Sequence, residues 1–141
     1  MAQKITKSVK SMVDAAKREI EEIEPADAVK LHGLPDVVLV DLRDPRELDR
    51  EGRVPGAFRM TRGMLEFWID PESEYYKPIF AEDKKFVFFC AGGLRSALAA
   101  QTAQDMGLKP VAHVVGGFKA WKEAGGPVEP PTGPKKDEGK K

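Results

Sequence analysis

Short, strongly apolar runs alternate along this chain with segments rich in helix-forming residues. Two of these runs, at 37–40 and 86–89, contain no polar residue. Such a run is typical of a strand buried on both faces, as in a parallel sheet covered by helices. The alternation continues through most of the 141 residues, a length that fits one domain. The pattern predicts an α/β domain built on a parallel sheet.

The same signals place the individual elements. Apolar and β-branched runs predict strands at 37–41, 57–60, 85–90 and 111–115. Helix-forming segments, several opened by proline or ended by glycine, predict helices at 25–31, 45–52, 64–69, 96–106 and 118–124.

The two ends of the chain fall outside this alternation. Residues 1–22 are predicted to form an N-terminal amphipathic helix, and its apolar spacing, from Ile5 to Ile23, extends the expected helix over 4–24. Its apolar face is expected to pack on its own domain, with a dimer or partner contact as the alternative. A membrane surface fits less well, because Asp14 and an acidic end oppose it. Residues 129–141 have too little apolar content to fold and are expected to be a disordered tail.

The only cysteine, Cys90, stands where a predicted strand ends and a glycine turn begins. With glycines at 92–93, the amides from Ala91 to Ser96 can turn inward and form an anion-binding nest at a helix start. Thiolates are favoured at such places and beside arginines, here Arg95. Cys90 is therefore the candidate nucleophile. The alternative is a small buried hydrophobic residue, but the carboxyl end of a parallel strand is where open α/β sheets hold their sites.

Composition excludes several classes of function. The 23 basic residues balance 23 acidic ones, so the basic excess of a nucleic-acid-binding surface is missing. One cysteine allows neither an internal disulfide nor a multi-cysteine metal site, and His32 and His113 lack the spacing of a metal pair. We therefore expect no metal and no cofactor. The sequence has no apolar run of about 18 residues and no apolar signal-peptide core, so we expect a cytoplasmic protein without a membrane partner.

Three motifs follow one another between residues 23 and 128. The first is VDLRD at 40–44, a strand with an acidic turn, and the second is GRVPGA at 52–57. The third is CAGGLRS at 90–96, followed by glycines at 116–117, a tryptophan and GPV at 126–128. Together they make this stretch resemble the rhodanese-like sulfurtransferase family in its single-domain form. The second motif is similar to the family's Gly-His-Ile-Pro-Gly-Ala, with Arg53 in place of the histidine.

The resemblance implies a fold and a reaction. The fold would be a five-stranded parallel sheet flanked by helices on both faces, with the reactive cysteine at the bottom of a shallow cup. From the nest of amides we also expect the Cys90 thiol to be accessible. In the reaction, the Cys90 thiolate would take a sulfane sulfur from thiosulfate or a persulfide, and pass it to cyanide or a thiol. The anion would be held by the backbone of the loop residues Ala91, Gly92, Gly93, Leu94, Arg95 and Ser96.

The resemblance also implies supporting residues. Arg95 is expected either to pair with a carboxylate such as Asp41 or to bind the donor. Asp41 and Arg43 are expected to be internal scaffolding, and Asp44 either caps the next helix or approaches the rim of the cup. Donor-selective loops of the family often place a basic or polar side chain just after the cysteine, where this chain has alanine and glycine. A small or protein-borne persulfide therefore fits as donor at least as well as thiosulfate.

Two rival functions use the same residues. A cysteine-dependent phosphatase or arsenate reductase needs a wider ring of amides, with five residues between cysteine and arginine, whereas four separate Cys90 from Arg95 and Ser96 holds the position of that arginine. The second rival is a non-enzymatic binding module of the same fold. The presence of Cys90 weakens that alternative.

Overall fold

Five short strands form one parallel sheet. A computed structural model describes residues 2–132. The strands are β1 Glu21–Ile23, β2 Val37–Asp41, β3 Phe58–Arg59, β4 Lys85–Phe89 and β5 Val111–Val114. They lie in the order β1-β5-β4-β2-β3, and every neighbouring pair is parallel. The predicted α/β class and the five-stranded parallel sheet are confirmed.

Within residues 2–132, six α-helices cover the sheet on both faces: α1 Val9–Lys17, α2 Pro25–Val29, α3 Pro45–Glu51, α4 Leu65–Ile69, α5 Leu94–Asp105 and α6 Gly117–Glu123. Alternate residues of the apolar runs serve opposite faces. Phe86 and Phe88 belong to the core under α4 and α5, whereas Val87 and Phe89 belong to the core under α2 and α6. Burial on both sides explains why β2 and β4 are apolar almost without interruption.

The N-terminal helix is shorter than the sequence predicts. It begins after Ser8, whose side chain accepts the Ser11 amide, and ends at Lys17. The expectation of a helix through residue 24 is wrong, because residues 21–23 pair with the open edge of β5 as strand β1. Val13 and Ala16 of α1 pack against α5 of the same chain.

The contacts of the domain extend past the predicted boundary at residue 128. Glu129 forms an antiparallel bridge with Arg53, and the Thr132 hydroxyl donates to Asp49 over 3.2 Å. Residues 129–132 therefore lie against the domain, and the remainder of the expected tail, 133–141, is outside the described residues. Within residues 2–132 no helix is both long and apolar enough to cross a bilayer.

Candidate active site

The Cys90 sulfur lies between the carboxyl end of β4 and the first turn of α5. Gly93 takes a left-handed conformation with φ of 100°, which turns the chain back over the sulfur before α5 begins. The amides of Gly93 and Ser96 donate to Sγ over 3.2 and 3.4 Å. Both amides belong to the predicted loop. Two N–H donors at a helix N-terminus stabilise negative charge on this sulfur.

The start of α6 holds the same loop from the other side. The amides of Phe118 and Lys119 donate to the carbonyl oxygens of Cys90 and Ala91, over 2.7 and 3.3 Å. Gly117 makes this approach possible, since a Cβ there would lie 2.8 Å from the Ala91 carbonyl carbon and closer still to the Cys90 oxygen. Gly117 is therefore required for the start of α6 to lie this close to the Cys90 loop.

The cysteine is more enclosed than the sequence predicts. Cys90 is 1% exposed, so the expectation of an accessible thiol is wrong for this conformation. The reason is that the loop wraps the sulfur with its own backbone, while Ala91, Gly92 and Leu94 face solvent. A reagent reaches the sulfur only past this loop.

A cleft of about 380 Å³ opens beside the loop. Ala91, Gly92 and Phe118 form part of its wall. Its other lining residues are charged: Arg43, Arg50, Lys119, Lys122, Glu47 and Glu51. The sequence predicts an anion pocket made mostly of amides, and the cleft adds basic side chains from α3 and α6. No spacing in the sequence signals this, because the two helices meet only in the folded chain.

Arg95 forms a two-pronged ion pair with Glu47, which lies on α3. Both N–O distances are 2.8 Å. The expected partner Asp41 is wrong, because that carboxylate is already bound to Arg43. The hydrogen bonds from Arg95 lower the pKa of Glu47 to about 2, and the same bonds raise the pKa of Arg95. The pair ties the first turn of α5 to α3.

Asp41 and Arg43 form a buried pair behind the cleft. Nε and Nη2 of Arg43 donate to the two carboxylate oxygens over 3.0 and 2.8 Å, and both residues are 1% exposed. The guanidinium lies 4.0 Å from the centre of the Phe118 ring. Asp44 caps α3 by accepting the amides of Arg46 and Glu47.

A chain of hydrogen bonds that the sequence does not predict leads away from Cys90. Its sulfur lies 3.7 Å from the Ser96 hydroxyl, which lies 2.8 Å from Nδ1 of His113. Nε2 of His113 lies 3.0 Å from a carboxylate oxygen of Glu22. Burial lowers the pKa of His113 despite that carboxylate. The one available signal is a histidine inside an otherwise apolar strand.

The described residues form no evident metal centre. Across 2–132, no three His, Cys, Asp or Glu side chains stand close enough together to hold an ion. His32 and His113 have separate protein partners, since Nε2 of His32 lies 2.8 Å from the Pro55 carbonyl oxygen.

Comparison with known proteins now identifies the domain. The family model of the rhodanese-like domain matches residues 24–124. The chain belongs to the rhodanese-like family. The match begins directly after β1, spans β2 through α6, and includes Cys90, Arg95 and His113.

One curated relative is 32% identical over 108 residues, which cover 77% of this chain and 92% of the relative. It is the thiosulfate sulfurtransferase GlpE of Glaesserella parasuis. Other relatives are longer. The chain spans 58% of a mouse thiosulfate sulfurtransferase/rhodanese-like domain-containing protein and 58% of an uncharacterised Synechocystis protein, at 28% and 29% identity.

Two solved structures are also similar. A Rhodopseudomonas palustris protein of unknown function, described as a possible tyrosine phosphatase, is 67% identical with a TM-score of 0.89. The match covers 92% of this chain and 99% of that one. The polysulfide-sulfur transferase homodimer of Wolinella succinogenes is 34% identical with a TM-score of 0.65, over 85% of each chain.

Proposed function

We propose that this rhodanese-like protein is a sulfurtransferase that carries sulfane sulfur on Cys90. The observation that carries this proposal is the position of the Cys90 sulfur, which accepts the Gly93 and Ser96 amides at the N-terminus of α5. These donors favour an anion, and the thiolate and the persulfide are both anions. Relatives named as sulfurtransferases support the same conclusion.

The proposed reaction has two displacement steps. The Cys90 thiolate attacks the sulfane sulfur of the donor, and the donor's S–S bond breaks with its electron pair leaving on the other fragment, which is sulfite when the donor is thiosulfate. The product is a Cys90 persulfide whose terminal sulfur is anionic. A thiophilic acceptor, cyanide or a thiolate, then attacks the terminal sulfur, and the Cys90 thiolate leaves. No net oxidation of the protein occurs over the cycle.

The cleft beside the loop supports an anionic donor. Four of its lining side chains are basic and two, Glu47 and Glu51, are acidic, so the lining carries a net positive charge. A cationic rim raises the local concentration of anions and accommodates an anionic leaving group. Thiosulfate, a low-molecular-weight persulfide and a protein persulfide all carry that charge, and the proposal includes all three as donors.

The neighbour described as a possible tyrosine phosphatase makes phosphate hydrolysis the second candidate. The loop geometry argues against it. The amides of Gly93 and Ser96 already lie within 3.4 Å of the sulfur, and both terminal nitrogens of Arg95 are bound to Glu47. A phosphate would need a wider ring of amides and an arginine aimed into it.

Intact-mass measurement tests the proposal. After mixing with thiosulfate or a small persulfide, the protein should gain about 32 Da, the mass of one sulfur atom, and dithiothreitol should remove it. Cys90→Ser should form no adduct, because a hydroxyl cannot carry sulfane sulfur. Arg95→Ala should keep the adduct and lose rate. Full sulfur transfer by Cys90→Ser would refute the proposal.

Parallel assays separate the two enzyme classes. Thiosulfate-to-cyanide transfer and hydrolysis of an aryl phosphate are measured on the same preparation, with Cys90→Ser as the control for each. We expect transfer and negligible hydrolysis. If phosphate hydrolysis depends on Cys90 and is faster than sulfur transfer, the protein is a phosphatase and the sulfurtransferase proposal is refuted.

A further inference from the structure

We propose that Ser96, His113 and Glu22 form a relay that takes the thiol proton of Cys90 away from the sulfur and holds it as a buried imidazolium–carboxylate pair. The inference rests on the proposed role of Cys90 as a nucleophile, and it adds His113 and Glu22 as positioning residues for that role. A buried thiol needs such a route, because Cys90 is 1% exposed and its sulfur has almost no contact with solvent that could take the proton.

The hydrogen bonds run in one direction. The Glu22 carboxylate can only accept, so Nε2 of His113, 3.0 Å away, carries the proton. In neutral His113, Nδ1 is then a free acceptor for the Ser96 hydroxyl at 2.8 Å. The Ser96 oxygen is left to accept from the Cys90 thiol at 3.7 Å. Every donor points from the sulfur toward Glu22.

The register of the sheet creates this alignment. On β5, His113 pairs with Phe88 of β4 on one side and with Glu22 of β1 on the other. Its side chain shares the face of the sheet that α5 covers, so Ser96 in the first turn of α5 lies above it. Helix α5, strand β5 and the edge strand β1 each contribute one member of the relay.

The charges around His113 favour holding the proton only when the sulfur is ionised. His113 is fully buried, and this burial lowers its pKa. Glu22 from β1 opposes that effect, while Lys17 from α1 adds to it. The Cys90 thiolate supplies a second negative charge on the far side. With both anions present, the buried imidazolium lies between two negative charges.

The proton transfer balances without a further reagent. The Cys90 thiol gives its proton to the Ser96 oxygen as the Ser96 hydroxyl proton moves to Nδ1 of His113. The products are a thiolate that accepts the reoriented Ser96 hydroxyl and an imidazolium that keeps Nε2–H on Glu22. Glu22, with about a third of its side chain exposed, is the end of the relay that meets solvent.

A purely structural role of these three residues would give different experimental results. If Ser96, His113 and Glu22 only satisfied one another's buried polar groups, substitutions would lower stability and leave the ionisation of Cys90 unchanged. Because Cys90 is the only cysteine in the chain, alkylation measured by intact mass reports on this sulfur alone. Access past the loop sets the size of the rate, whereas the pH midpoint of the rate follows the ionisation of the thiol. The pH profile of alkylation therefore separates the two roles.

The experiment measures the iodoacetamide rate of Cys90 against pH by intact mass, with folding checked by circular dichroism. In His113→Asn, which keeps a hydrogen-bond acceptor but cannot hold the proton, we expect the midpoint to rise by about one pH unit, a roughly tenfold loss of rate below it. Glu22→Gln should also raise this pH midpoint. The matched controls, His32→Asn and Glu21→Gln, should leave it in place, because Glu21 pairs with Lys85 instead.

Other outcomes decide against the relay or against the function separately. An unchanged midpoint in folded His113→Asn and Glu22→Gln overturns the relay even if the 32-Da adduct forms. If His113→Asn does not fold, the result for Glu22→Gln decides, because that side chain is about one third exposed and its replacement disturbs the core less. Nitrogen-15 NMR of the unmodified protein gives an independent reading, since a proton on Nδ1 of neutral His113 would overturn the relay. If the alkylation midpoints shift as expected but no 32-Da adduct forms, the relay is supported and the sulfurtransferase function is refuted.

Discussion

Replacing Glu47 by glutamine should remove a charge-dependent link between α3 and the loop that holds Cys90. The wild-type pKa of Glu47 is about 2, below an ordinary value of 4.5, chiefly because Arg95 donates two hydrogen bonds of 2.8 Å. A shift of this size corresponds to about 3 kcal/mol if fully expressed. The Arg95 side chain is 41% exposed, so solvent screening reduces the expected loss to about 1 to 2 kcal/mol.

The sign of the pH dependence follows from the lowered pKa. Ionised Glu47 is favoured in the folded state, so its contribution is complete above about pH 4.5 and is lost as pH falls toward 2. The free energies of unfolding of wild type and Glu47→Gln should therefore differ at pH 7 and converge in strong acid. Urea titrations at pH 7, 4 and 2.5, followed by fluorescence of Trp68 and Trp121, measure that difference.

Glu51→Gln is the matched control. Glu51 is on the same helix, but its pair with Arg50 is exposed on both sides, so its loss should cost less than about 0.5 kcal/mol. A difference between wild type and Glu47→Gln that stays constant from pH 7 to 2.5 would refute the ion-pair argument. An equal loss in Glu51→Gln would show that helix charge alone is responsible.

Three further predictions concern the packing around the site. Gly117→Ala should destabilise the fold by about 3 kcal/mol or more, since the added methyl group has backbone atoms within 2.8 Å; a variant that unfolds at the same temperature as wild type would contradict this. Phe88→Ala should cost about 3 to 5 kcal/mol in urea unfolding, against less than about 1 for the half-exposed Phe67→Ala, and equal losses would mean that burial is not the cause. Asp41→Asn should cost about 3 to 5 kcal/mol by leaving the buried guanidinium of Arg43 uncompensated, and a loss under about 1 kcal/mol would show that water reaches it.

The sequence is most informative where structure depends on neighbouring residues. The strands β2 and β4 follow from the apolar runs at 37–40 and 86–89, because burial on both faces leaves no polar position within those runs. The turn after Cys90 follows from its glycines, since Gly93 takes a conformation that other residues avoid. Strand, turn and helix form one continuous segment, so the candidate nucleophile and its two amide donors could be predicted together.

Strand β1 shows the opposite case. Residues 21–23 carry two glutamates and continue a helical spacing, so their own pattern predicts helix. They become a strand because the edge of β5 offers unpaired backbone groups. A three-residue strand has too few residues for a local signal, and its conformation depends on its partner.

The sequence by itself determined the class of fold, the candidate cysteine and the backbone turn that encloses it. Tertiary structure decided which side chains surround that turn: Glu47 rather than Asp41 for Arg95, and His113 and Glu22 beyond Ser96. Glu47 lies 48 residues from Arg95 along the chain, and Glu22 lies 91 residues from His113. The physical reason is that backbone conformation responds to adjacent residues, whereas a side-chain contact depends on strand order and register, which arise only when the whole sheet assembles.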